Sequence, residues 1–250
     1  MLGLGNHIGN YSDVWQPTDL SDLLVWYSTI NGGDPTDGLY MEFSSGTKVA
    51  QWNDISGNSN HAGQTTAGKQ PDFISATASV DFDATGGSTV DDYMELDTQL
   101  TLDTDDTGWT VAANYTSLNW DGSAQCIVGD VDNSQNFIRH NSGENKFLVK
   151  VGNNNNTIDL DTPSSLTDSQ YYSVIVTCAT DGTITLYING VAQSDTEDCG
   201  TNDLTIDEIC GKEENTQTLG GSVRDILVYR KPLAAAEIAL LNSFLELRGF

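Results

Sequence analysis

The chain has 250 residues, with 10 Lys plus Arg against 36 Asp plus Glu and a formal charge of -26. A surface of that sign repels DNA, RNA and anionic membranes over most of its area, so neither nucleic acid nor a membrane is expected as a partner. A hydrophobic share of 38%, with 5 Trp, 9 Tyr and 7 Phe, is enough for one sizeable core and argues against acidic disorder.

Residues 1–18 are rich in Gly, Asn and Ser, with Leu2, Leu4, Ile8, Val14 and Trp15 spaced among them. Two readings stand side by side: a floppy leader, or an arm whose Leu2, Leu4, Ile8 and Trp15 dock on a neighbour. No Lys or Arg precedes an apolar stretch here, and no segment has the length of a membrane span, so neither a signal peptide nor a spanning helix is expected.

From residue 19 onward the chain is expected to form one domain. Leu23–Tyr27 reads as a strand apolar on both faces, and 31–38 as a turn-rich insertion. Short strands follow at 39–43 and 49–52, then a loop at 54–61. Strands at 80–82 and 93–96 flank a glycine-rich turn, and 109–115 reads as a central strand. Further strands are expected at 126–129, 147–151, 171–178, 183–188, 191–193, 204–206 and 223–229. Asp181-Gly182 and Asn189-Gly190 are tight-turn signals. In 183–188, Ile184, Leu186 and Ile188 share one face, the period of a half-exposed antiparallel strand. The one helix is expected at 233–247, with Ala234, Ile238, Leu241 and Leu245 on its apolar side and Pro232 pre-setting its first turn.

About a dozen short strands separated by Gly, Asn and Asp turns fit a two-sheet antiparallel jelly-roll sandwich. A flat β-solenoid would need a fixed repeat length, and none is visible.

Of the four cysteines, Cys126 and Cys178 lie in apolar strands and read as core thiols. Cys199 and Cys210 flank an expected hairpin, and a bridge between them would need matched Cβ positions. The loop 54–61 places Asp54, Ser56, Asn58 and Asn60 around Gly57. Hard oxygen donors around a glycine suit calcium, with Asp54 and Asn58 as first ligands. The competing reading is a turn held by its own Asx bonds, with Gly57 at positive φ. A sugar site needs an aromatic platform beside amides and carboxylates. Trp120 with Asn119 and Asp121, at a loop tip, has that composition, and Tyr115 and Asn136 are weaker candidates. The competing reading makes Trp120 a lid on the core.

Four segments carry a family resemblance: Leu24–Trp26 after Asp22-Leu23; Val49–Ala62 (VAQWNDISGNSNHA) followed by Lys69-Gln70-Pro71; Asp181–Gly190 (DGTITLYING); and Gly221–Leu233 (GSVRDILVYRKPL) with its trailing helix. Over about residues 20 to 250 the chain resembles a laminin G-like or concanavalin A-like lectin/glucanase sandwich, of the kind found in tailed-phage structural proteins. The fold hosts lectins, adhesins, glycosidases and spacers, so function does not follow from it. The resemblance implies Ser or Thr where Ala234 stands, three residues before Glu237, so the helix start is expected to lack its cap, at a cost of roughly 1 kcal/mol.

The glucanases of this fold set carboxylates along one strand, because a nucleophile and an acid must stand about 5 Å apart across the sugar. Glu95-Leu96-Asp97 lacks the second Glu, Asp207-Glu208 lacks spaced partners, and 196–198 reads as a turn. The three histidines, His7, His61 and His140, sit in no nucleophile motif. A non-enzymatic protein is therefore expected. The resemblance, the missing export signal and the arm together suggest a tailed-phage virion protein, made in the host cytoplasm. A capsid decoration or appendage subunit fits best, with other virion proteins and further copies of itself as partners. The alternative is a glycan-binding module or adhesin domain.

Overall fold

A computed structural model describes residues 15–29, 39–82, 92–118, 124–141, 146–152, 158–162, 166–212 and 217–249. Leu2, Leu4, Ile8, Asn119, Trp120 and Asp121 lie outside them.

The described residues form seventeen strands. They are β1 (Leu23–Ser28), β2 (Met41–Ser45), β3 (Lys48–Trp52), β4 (Ala62–Gly63), β5 (Asp72–Ile74), β6 (Ser79–Asp81), β7 (Met94–Leu102), β8 (Trp109–Tyr115) and β9 (Gln125–Gly129). Then come β10 (Phe137–His140), β11 (Lys146–Lys150), β12 (Ile158–Asp161), β13 (Tyr172–Cys178), β14 (Thr183–Ile188), β15 (Val191–Asp198), β16 (Leu204–Ile209) and β17 (Ser222–Tyr229). One α-helix, α1 (Ala235–Gly249), closes the described chain. No described helix is long and apolar enough to cross a membrane.

All ladders are antiparallel. One run is β1–β17–β8–β13–β14–β15 and the other β7–β16–β9–β10–β11–β12. The runs are not separate sheets. β6 pairs with the start of β17 where β1 has ended, and β6–β5–β3–β4 leads on to β7. The result is one continuous, barrel-like antiparallel sheet. The physical reason lies in these corner strands of two to five residues, which pair at both ends and so leave fewer open edges.

The main core lies between the two runs, around Trp52, Trp109, Tyr115, Phe82, Phe147 and Leu160. A second core lies on the outer face of the first run, where Trp26, Ala112, Ile175 and Leu227 meet Leu233, Ile238, Leu241, Phe244 and Leu245. The helix face differs from expectation at one point: Ala234 is exposed, and Leu233 is the buried residue. The helix start keeps half of its capping box. Glu237 Oε2 accepts the Ala234 N–H at 2.8 Å, while Oε1 meets Lys231 at 2.7 Å. Lys231 and the Ala234 amide hold the Glu237 carboxyl below its ordinary range.

Several elements depart from the sequence reading. β10 and β12 were not expected, because each offers only two apolar residues in four, adjacent and on opposite faces in β10 and on one face in β12. Residues 196–198 are not a turn but the end of β15.

Candidate functional site

The loop 54–61 is built around a defect in the first strand. The β1–β17 ladder slips between Leu23 and Val25, which frees backbone carbonyls there. Asn58 Nδ2 donates to both Leu23 O and Leu24 O at 2.9 Å, and Ser56 Oγ adds a bond to Leu24 O at 3.2 Å. Asp54 anchors the other side. Its Oδ1 accepts from Trp26 N and Ser56 N, both at 2.9 Å. Its Oδ2 accepts from Ser56 Oγ at 2.9 Å and Asn60 N at 3.1 Å. Gly57 (φ 98°) and Ser59 (φ 58°) supply the left-handed backbone that this tight path needs.

Asn60 then ties the loop to β7. Its side chain donates to Thr98 O and accepts from Thr98 N, each at 2.8 Å, which extends the β4–β7 pairing with a side-chain amide. Its carbonyl accepts the Tyr27 hydroxyl at 2.6 Å. Burial, with the Asp54 and Asp97 carboxylates nearby, pushes Tyr27 well above the ordinary phenol range.

This geometry does not fit a calcium ion. A cation needs inward-facing acceptor oxygens. Both Asp54 oxygens already face two protein donors each, and Asn58 offers its NH2 to the carbonyls of β1. Among the described residues no group of three or more His, Cys, Asp or Glu side chains is placed to hold a metal. Asp54 and Asn58 serve as staples of a bulged strand.

Beside the loop lies a cavity of about 340 Å³ lined by Leu39, Tyr40, Asn53, Asp54, Ile55, Gly57 and His61. The Asp54 N–H donates to His61 Nδ1 at 3.1 Å, so a neutral imidazole here carries its proton on Nε2.

A second cluster was not foreseen: the sequence reading weighed Asp207 only beside Glu208 and found it no partner. Asp130, just past β9, and Asp207, on β16, both accept from Gln99 Nε2 of β7, at 3.3 Å and 3.1 Å. Asp207 Oδ1 also accepts the Val131 N–H at 2.7 Å, and Asp130 accepts from Asp132 N and the Thr205 hydroxyl. Burial, with the Asp130 and Asp132 carboxylates, raises the Asp207 carboxyl. Asp207 sits in the β16–β7 register slip between Ile206 and Glu208, so the cluster pins a bulge. The two carboxylates are far apart in sequence, and only the strand order brings them together.

The weaker sugar candidates are placed inside. Tyr115 is fully buried in the main core. Asn136 is buried, donating to Thr205 Oγ1 at 2.6 Å and accepting from Gly152 N at 2.7 Å. Trp15 packs within its own chain, edge-on to Phe244 with ring centroids 5.9 Å apart.

Solved structures with this fold include a Trypanosoma rangeli sialidase, at TM-score 0.53 and 12% identity over 92% of this chain and 34% of that one. The binding domain of Paraclostridial Mosquitocidal Protein 1 matches at TM-score 0.59 and 14% identity, over 92% of this chain and 53% of the other. A structure of botulinum neurotoxin type C, whose cell entry is described as dependent on interaction with two ganglioside molecules, matches at TM-score 0.58 and 15% identity, over 91% of this chain and 52% of that one. The chain thus spans between about a third and about half of the solved chains it matches. No curated protein sequence matches it. A family model described as the concanavalin A-like lectin/glucanases superfamily matches residues 86–239, more than half of the chain; the 54–61 loop lies outside that stretch. The chain belongs to the concanavalin A-like lectin/glucanase superfamily, as a laminin G-like domain.

Proposed function

We propose that this chain is a non-catalytic recognition domain that binds a glycan in the cavity beside the 54–61 loop. The observation that carries this reading is the cavity itself. Leu39 and Ile55 offer apolar surface for a sugar ring, and His61 stands at its polar side. A pyranose has an apolar face and a rim of hydroxyls, so this mixture suits it. The reading agrees with the kind of work named for two of the similar structures, a toxin binding domain and a ganglioside-dependent neurotoxin. A glycan array probed with the purified chain tests it. One sugar class should bind, and His61→Ala should weaken that binding at least tenfold while the circular dichroism stays unchanged. Binding to no glycan would overturn the reading.

For the setting, we propose a virion structural subunit of a tailed phage, a capsid decoration or appendage, assembled as several copies among other virion proteins. Trp15 docks on Phe244 of α1. Leu240 and Leu247, one heptad apart on α1, are 45% and 84% exposed. At a charge of -26, assembly must rest on such local apolar contacts. We also read the fold as a jelly roll of two packed layers, the two runs of strands, with β3–β6 as the strap that joins them into one sheet. Removing residues 1–14 and changing Leu240 and Leu247 to Ser should leave the fold intact and abolish attachment to the particle. Attachment of that variant at wild-type level would sink the idea.

A further inference from the structure

Cys178 ends β13, and Cys199 follows the last residue of β15. Their sulfur atoms stand 3.4 Å apart, both fully buried. The backbone has already brought the two positions together. Cys178 pairs with Ile184, Thr183 pairs with Asp198, and the Cys199 N–H donates to Gly182 O at 3.0 Å. Closing the sulfurs to a bond of about 2.05 Å therefore asks for side-chain rotation and no new backbone path.

The bridge weighed from sequence paired Cys199 with Cys210. The fold instead sets Cys199 against Cys178, and places Cys210 near Cys126, whose charge adds to the upward push that burial gives the Cys210 thiol.

We propose that Cys178 and Cys199 form a reversible disulfide when the chain meets a small-molecule disulfide oxidant such as oxidised glutathione. The hydrogen bond that the two sulfurs share can be donated by either, so either thiol can attack first and the other then resolve. With Cys199 first, the chemistry balances in two exchanges. The Cys199 sulfur attacks one sulfur of the oxidant, whose S–S bond breaks and releases one thiol. The Cys178 sulfur then attacks the mixed disulfide at Cys199 and releases the second thiol. The two protein thiols lose two protons and two electrons, and the oxidant gains them. Access runs through opening of the exposed turn at 180–181 and the exposed residues 201–202. The crosslink would lock the β14–β15 hairpin to the end of β13.

The test uses the full chain, incubated folded with oxidised glutathione and, separately, refolded from denaturant in a glutathione redox buffer. Expected is a mass lower by about 2 Da, a fall from four titratable thiols to two, and a tryptic peptide pair joining Cys178 to Cys199. The oxidised chain should melt about 5–15 °C higher, since the closed loop restricts the unfolded chain. The Cys126→Ser/Cys210→Ser double variant should behave the same, and Cys178→Ser should keep all its remaining thiols. Four thiols surviving both treatments, or a crosslink that uses Cys126 or Cys210, would overturn the proposal.

Discussion

The strands beneath α1 and the strands on the far side of the core differ in burial, although both belong to one sheet. β8, β13 and β17 are buried almost throughout, on both faces. β12 and the start of β7 alternate buried and exposed residues. The difference comes from one element. The helix covers the outer face of β8, β13 and β17, while the second run carries Gln99, Lys146, Asp159, Asp161 and Asp207 beside one small buried cluster of Cys126, Phe137 and Leu148. In β8, β13 and β17 the near-continuous apolar run matches the docking of α1, and in β12 the alternation matches an open wall.

That contrast breaks most easily at Trp26, the largest side chain between sheet and helix. Its ring meets Phe244 edge-on, with centroids 5.6 Å apart, and its indole N–H donates to the buried Asp225 at 3.1 Å. Trp26→Ala should cost about 3–5 kcal/mol in urea unfolding, with loss of helical signal at lower denaturant. A cost under about 1 kcal/mol would mean that the helix does not depend on this contact.

The next effect belongs to the loop. Asp54→Ala leaves the Trp26 and Asn60 amides without their acceptor, at a cost of about 2–4 kcal/mol. Chelation with EDTA should leave the melting temperature of the wild type unchanged, because the carboxylate serves N–H and O–H donors. A drop on chelation would restore calcium to Asp54 and Asn58.

His140 gives a smaller, pH-dependent effect. It lies buried against Tyr115 and Phe147, and burial, with Arg139 beside it, pushes its pKa down to about 3. An unfolded His titrates near 6.5, so below that pH the unfolded chain binds a proton that the folded chain refuses. Stability then falls with falling pH, by about 1 kcal/mol between pH 6 and 5 for this residue alone. The buried Asp225, raised by burial, and the Asp207 carboxyl act in the opposite sense. Comparing wild type with His140→Gln isolates the histidine. Parallel stability–pH curves for the two would rule out its contribution.

The smallest effect is expected on the open wall. Lys146 meets Asp159 at 3.6 Å and Asp161 at 3.8 Å, all partly or well exposed. Lys146→Ala should change stability by no more than about 1 kcal/mol, and less in high salt.

Much of the fold was legible residue by residue. β8 and β14 fall where their patterns placed them. Asn189 (φ 48°) and Gly190 (φ 73°) adopt the left-handed pair that their tight turn demands, and Gly182 (φ 85°) does likewise. β10 and β12 were missed because so short a strand carries too little period to stand out. The site was less legible. The Asp54 loop was identified, but the reason for its polar residues, a bulge in β1 some thirty positions earlier, lies outside the loop itself. Asp130 with Asp207, and Cys178 with Cys199, meet only through strand order.

By itself the sequence determined the antiparallel strands, their tight turns and the single helix after Pro232, because those depend on local backbone preference and on side chains alternating within a few residues. The tertiary structure decided which strand faces are covered, how β3–β6 join two runs into one sheet, and whether a carboxylate holds an ion or a backbone. Those outcomes depend on which donors and apolar faces arrive from distant parts of the chain, and no local pattern records them.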